Sequence, residues 1–163
     1  MLVWFIRHAL AVEADLFPGP DMQRPLTPVG RRQAMALFKH LAAVRNPPDV
    51  VICSGAVRAG QTAALLCKMF HLPPPHIDER LNPGCRFRVI KQIVRKAGER
   101  SRTVAIVGHE PDFSVAISEW TSDGHLHLRM AKCALAELEL RPGKPARLIG
   151  LYSPDLFPSA VKR

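Results

Sequence analysis

Residues 2–8 read Leu2-Val3-Trp4-Phe5-Ile6-Arg7-His8, five apolar side chains in a row that stop at a guanidinium and an imidazole. A short continuous apolar run of this kind marks a strand buried on both faces, as in a parallel sheet covered by helices. Two further runs have the same character: residues 49–53 (DVVIC) and residues 103–107 (TVAIV). Helical stretches alternate with them. After a polar loop over residues 9–26, Thr27-Pro28 supplies a capping hydroxyl and a proline at the first helical position. Ala34, Leu37, Phe38, Leu41 and Val44 then recur on one helical face until Asn46-Pro47-Pro48 ends it. Residues 56–70 are helical by composition and close before Pro73-Pro74-Pro75; a third helix is expected over 87–96, and Pro111 opens a fourth that runs to about Trp120. Residues 133–140 and 147–152 alternate in polarity, with Arg141-Pro142-Gly143-Lys144-Pro145 between them as a hairpin loop. Strands joined so tightly must be antiparallel. The expected fold class is α/β: three layers, α/β/α, with a mainly parallel central sheet and a C-terminal antiparallel hairpin.

The 163 residues suit a single domain, 1–163, large enough to bury its own core. A hydrophobic fraction of 47% against 23% charged argues for a folded chain, not a disordered one. The formal net charge of +9 favours anionic ligands. Nucleic acid is not expected, because Arg and Lys are spread along the chain and few aromatic residues are available as stacking platforms. Cys53, Cys67, Cys85 and Cys133 are widely spaced with no C-x-x-C pair, so buried reduced thiols are favoured over a disulfide frame or a zinc site. Arg7-His8 interrupts the first apolar run too early for a signal peptide, and no run approaches a membrane span. A cytoplasmic protein with no membrane partner is expected; oligomeric state is not legible.

In an open α/β sheet, ligands bind beyond the carboxyl ends of the strands. The first strand runs into Arg7-His8, the second into Ser54-Gly55 with Arg58 close behind, and the third into Gly108-His109-Glu110-Pro111. Two imidazoles and two guanidiniums thus gather at one edge from three remote segments. Each has a plainer reading. Arg7 and His8 can simply end a strand, Ser54 can be a helix N-cap or a phosphate ligand, and Glu110 suits a helix start. Gly108 suggests a tight turn or a close backbone approach. Convergence is what makes an anion site with an imidazole inside it the stronger reading.

At these residues the sequence resembles the histidine phosphatase (phosphoglycerate-mutase-like) superfamily, and within it the SixA-type phosphohistidine phosphatases. Residues 3–8 resemble its R-H-G signature, and residues 24–31 its R-P-L-T-x-x-G segment. Residues 54–63 are similar to S-x-x-x-R-A-x-Q-T-A, and residues 107–111 to its second-histidine turn. The resemblance spans roughly residues 2 to 152. It implies a nucleophilic His8, with Arg7 and Arg58 as phosphate clamps and His109 as a further donor. It also implies Arg24 as the additional phosphate ligand of the SixA-type subset, with Ser54 beside them. Ala9 stands where glycine is commoner, and a positive φ there would cost roughly 1 kcal/mol. Ester-cleaving relatives carry a catalytic acid in a segment read as L-x-E; here Leu81-Asn82-Pro83-Gly84 has proline in that place, and Glu79 and Glu13 are only nearby substitutes.

The implied activity is a metal-independent phosphatase needing no cofactor, working through phospho-His8 on a phosphorylated protein or a small phosphorylated molecule. An alkoxide leaving group needs a general acid, whereas a phosphohistidine imidazole can leave neutral if its other nitrogen is protonated. The missing acid therefore favours phosphohistidine on a protein over small phosphate esters. Other readings are a metal hydrolase, disfavoured by the adjacent arginines, and a phosphoglycerate mutase, for which the chain is short. A non-catalytic module for acidic partners is a further one, using the basic stretch His125, His127 and Lys132.

Overall fold

The computed structural model describes residues 1–156. Its strands are β1 Leu2–Arg7, β2 Val50–Cys53, β3 His76–Ile77, β4 Thr103–Gly108, β5 Leu135–Glu139 and β6 Arg147–Tyr152. The main helices are α1 Pro28–Val44, α2 Val57–Phe70, α3 Phe87–Gly98 and α4 Asp112–Ser122. One sheet holds all six strands in the order β3-β2-β4-β1-β5-β6. β1, β2, β3 and β4 pair in parallel, and β5 and β6 add the antiparallel edge beside β1.

The period of two along each strand builds the layers. Trp4 and Ile6 of β1 face one core with Ala34, Leu37 and Phe38 of α1 and Ala63 and Leu66 of α2. Val3 and Phe5 face the opposite core with Ile90 and Val94 of α3 and Phe113 and Ile117 of α4. Both sets are almost fully buried, at about 1.5–3 kcal/mol for each large side chain. The chain steps outward from β1 to β2 to β3 through α1 and α2, then returns to β4 through α3. Reversing direction while keeping right-handed crossovers places the later helices on the other face.

The start of α1 is built as the sequence implies. Thr27 Oγ1 accepts the Gly30 amide at 3.0 Å, and Pro28 sits at the first helical position. Gly30 lies so close to the chain after β1 that a Cβ there would stand 2.1 Å from the Leu10 carbonyl oxygen. That approach explains the glycine better than any turn does.

Three details add to the sequence reading or narrow it. β3 is a two-residue strand that follows three prolines and is too short to leave a pattern. Helix α2 begins at Val57 with Ala56 as its N-cap and no side-chain cap, so Ser54 does not cap it. Ala9 is fully buried but is not among the residues with positive φ, so the strain considered for it is absent.

Candidate active site

Backbone pairing brings the three strand ends side by side. His8 N donates to Gly108 O at 2.9 Å, and Ser54 N donates to Val107 O at 3.0 Å. The chain after β1, the chain after β2 and the chain after β4 therefore leave the sheet together. Gly108 permits this at close quarters, since a Cβ there would meet the Phe113 ring at 2.6 Å.

The His8 and His109 rings lie 5.2 Å apart between centroids, tilted by 55°. Both residues are almost wholly buried, at 4% and 3% exposure. Loss of hydration pushes each imidazole down to about 3, with Lys132, the other histidine and Arg58 adding to the effect on His8, and Arg58 and Lys132 adding on His109. Both are neutral at pH 7. His8 Nδ1 is 2.8 Å from the Ala9 carbonyl, which can only accept, so Nδ1 carries the proton and Nε2 keeps its lone pair. The loop bearing that carbonyl is itself held: Ala9 N donates to Thr62 Oγ1 at 3.0 Å, and Thr62 Oγ1 donates to Arg58 O at 2.7 Å. Gln61 Oε1 accepts Leu26 N at 2.8 Å. Gln61 and Thr62 thus fasten the loop between β1 and α1.

The second imidazole is oriented by a chain of hydrogen bonds. Asn82 Oδ1 accepts from Gly55 N and from Ser54 Oγ, both at 2.9 Å. The Ser54 hydroxyl proton is thereby committed, so its oxygen accepts from His109 Nε2 at 2.8 Å. Asn82 belongs to the stretch without the acid, and its amide is what positions Ser54.

Arg58 bears electrostatically on both imidazoles, and Arg7 on His109. Arg58 is 4% exposed; its two terminal nitrogens donate to the Asp21 backbone carbonyl at 2.7 Å and to Asp21 Oδ2 at 2.9 Å. Arg24 donates from Nε to Asp21 Oδ1 at 2.8 Å and from a terminal nitrogen to Val12 O at 2.6 Å. Arg7 donates to Met130 O at 2.6 Å. The buried Nε atoms of Arg7 and Arg58 have no hydrogen-bond partner among the described residues. Ser118 Oγ in α4 and Arg141 Nε in the β5–β6 hairpin loop share this condition, so it is the neighbouring imidazoles that single out Arg7 and Arg58.

Lys132 belongs here too. Cys133 N donates to His8 O at 3.2 Å, fixing the turn that carries Lys132 against the site. Burial, with the repulsion of Arg7, Arg24 and Arg58, lowers its ammonium below the ordinary lysine value, and Glu13 partly offsets this. The sequence reading grouped Lys132 with His125 and His127 as a docking stretch; those two histidines are exposed loop residues, whereas Lys132 faces the cations. Glu79 and Glu13 are exposed, and no hydrogen bond joins either to His8 or His109 among the described residues. Glu110 accepts from the backbone and hydroxyl of Ser114. A cleft of about 570 Å³ opens beside Arg7 and Glu110, between α4 and residues 124–129, with Ser118, Leu126, His127 and Arg129 in its walls. His8 does not line it; Arg7 is the shared boundary.

The sequence profile described as "Histidine phosphatase superfamily (branch 1)" matches residues 3–83. The chain belongs to the histidine phosphatase superfamily. An uncharacterized protein of Mycobacterium tuberculosis strain H37Rv is 37% identical over 112 residues, 67% of this chain; the match spans 65% of that relative's length. Among solved structures, the putative phosphohistidine phosphatase SixA from Nakamurella multipartita is 28% identical with a TM-score of 0.69, covering 84% of this chain and 83% of that one. The protein histidine phosphatase SixA complexed with tungstate is 22% identical with a TM-score of 0.86, covering 96% and 99%. The alpha-ribazole phosphatase from Shigella flexneri is 21% identical with a TM-score of 0.74, covering 94% and 97%. These last two likenesses speak to the fold.

Proposed function

We propose that the protein is a phosphatase that removes a phosphoryl group through phospho-His8, and that its substrate is a phosphohistidine on a protein. The single observation that carries this is the state of His8: a buried neutral imidazole with its Nδ1 proton committed to the Ala9 carbonyl and its Nε2 lone pair free, amid guanidiniums that retain unpartnered N–H groups.

In this reading Nε2 attacks phosphorus in line while the substrate nitrogen departs with the bonding electron pair. Arg7, Arg24 and Arg58 donate to the phosphoryl oxygens, where charge spreads in the transition state, and His109 joins them by redirecting its one N–H, on Nε2, from Ser54; positioning and electrostatics supply most of the acceleration. Arginine suits the task because its planar fork matches phosphate geometry. Ser54 keeps His109 oriented. Water then attacks phospho-His8, inorganic phosphate leaves and the neutral imidazole returns. The guanidiniums supply the positive charge that a metal ion would otherwise provide.

The substrate assignment rests on the leaving group. Glu110 is bonded to Ser114, Asp21 is ion-paired with Arg24 and Arg58, and Glu79 and Glu13 are exposed with no hydrogen bond to His8, so no protonated carboxylic acid is poised beside it among the described residues. A protonated phosphohistidine leaves without needing one. The name of the Nakamurella protein points the same way. A second reading, a small phosphate ester, is favoured by the cleft beside Arg7, which has room for an organic leaving group.

The test is to compare turnover of a phosphohistidine protein with that of small esters, and to trap the intermediate under alkaline conditions that preserve phosphohistidine. Label on His8 and faster turnover of the phosphoprotein are expected. Faster ester turnover would reassign the substrate, and full activity in His8→Ala would end the phosphatase mechanism.

A further inference from the structure

Arg58 and Arg24 approach the site from different elements, α2 and the loop before α1, yet one residue holds both. Asp21 opens a single 3-10 turn, Asp21–Gln23. Its Oδ1 accepts from Arg24 Nε at 2.8 Å and lies 2.7 Å from an Arg24 terminal nitrogen. Its Oδ2 and its backbone carbonyl take the two terminal nitrogens of Arg58 at 2.9 Å and 2.7 Å. Both ends of the residue are therefore used on the same buried guanidinium.

The side chain of Asp21 is 53% exposed, so these ion pairs add little to stability. Their value lies in direction. A guanidinium has five N–H groups, and gripping Arg58 by its terminal nitrogens leaves Nε–H buried and without a partner among the described residues. A freely rotating Arg58 would turn that donor toward water or a carbonyl instead. The carboxylate also offsets repulsion among Arg7, Arg24, Arg58 and Lys132, four cations that otherwise crowd one another.

We propose that Asp21 is a positioning residue for phosphoryl binding: one carboxylate, with its own carbonyl, seats Arg58 and Arg24 so that Arg58 Nε is presented to a phosphoryl oxygen. The inference rests on the phosphatase reading above and assigns a new residue within it. The competing role, in which Asp21 merely fills the place of the phosphoryl group and must be expelled when substrate arrives, makes the opposite prediction for phosphate binding.

Asp21→Ala, Asp21→Asn and Asp21→Glu are to be compared using p-nitrophenyl phosphate turnover and the inhibition constant of inorganic phosphate. Asp21→Ala is expected to weaken phosphate inhibition and lower kcat/KM by roughly 10–100-fold, the scale of a misplaced catalytic group. The thermal midpoint should change little, and Asp21→Glu should recover part of the loss. In an Arg58→Ala background the same change should cost far less, because both substitutions act through one guanidinium. Tighter phosphate inhibition in Asp21→Ala, or undiminished turnover, would overturn the proposal in favour of the placeholder role. Loss confined to the fraction of folded enzyme, with the inhibition constant unchanged, would overturn it as well. Failure of the phosphatase reading shows separately, as wild-type protein that neither binds phosphate nor labels His8.

Discussion

Glu137 and Arg58 are buried to nearly the same degree, 3% and 4% exposed, and each meets an opposite charge that reaches the surface. Their surroundings differ in kind. Around Glu137, which stands opposite Trp4 in the sheet, Oε1 accepts from Trp4 Nε1 at 3.1 Å. Oε2 accepts from Arg45 Nε at 3.3 Å and from the Tyr152 hydroxyl at 3.5 Å. Arg45 also donates to that hydroxyl, closing a ring. Around Arg58 the ring stays open: Asp21 takes the terminal nitrogens, and Nε has no acceptor among the described residues. On the proposed function, the buried charge whose hydrogen bonds are complete serves the fold, and the one with a spare donor near two neutral imidazoles serves a ligand.

The largest break in this comparison should come from Arg58→Ala. Turnover is expected to drop about 10²–10³-fold, as for loss of one oxyanion donor. Denaturant unfolding should move much less. Equal losses of activity and stability would erase the distinction between the clusters. The mirror experiment is Glu137→Ala, which strands the buried Trp4 N–H and is expected to cost about 1–3 kcal/mol in denaturant unfolding. Activity per folded molecule should stay unchanged.

A third prediction sharpens the picture with pH. His8 and His109 are held near 3 when folded and return to 6.5 when unfolded. Between those values the unfolded chain binds more protons, so stability must fall as pH falls from 6.5 toward 3. The slope is at most about 1.4 kcal/mol per pH unit for each histidine. Measured from pH 6 to 5, before most carboxylates titrate, His8→Asn should flatten it. An unchanged slope would mean that His8 is not held neutral. The last prediction concerns Arg45→Ala. It leaves the buried Glu137 carboxylate to Trp4 and Tyr152, so it should cost about 1–3 kcal/mol in denaturant unfolding, with kinetics untouched.

How much of this was legible in the chain follows from what each feature depends on. The three apolar runs reported their own burial, and Thr27-Pro28 reported its own helix start, because both signals are local. β3 was invisible because a two-residue strand has no period to detect. His8, Arg58 and His109 could be placed at one edge because strand ends converge in any such sheet. Asp21 was missed although it precedes Arg24 by three residues, a spacing that brings side chains together only if the loop forms a helical turn. Asn82 carries no signal of its own, because an amide in a loop marks no chemistry until its partner is known. Lys132 carries none either, because nothing in a loop sequence reveals which way a side chain turns.

The cysteines carry a last consequence. Cys53 adjoins Ser54 and Cys133 adjoins Lys132, and burial pushes their thiols up to about 11 and about 12. Cys67 is raised as well, and the half-buried Cys85 is pushed to about 11. Peroxide attacks thiolates, and at neutral pH these four sulfurs stay protonated. A catalyst resting on nitrogen among such quiet sulfurs should keep its turnover through an oxidant pulse that silences thiolate-dependent enzymes.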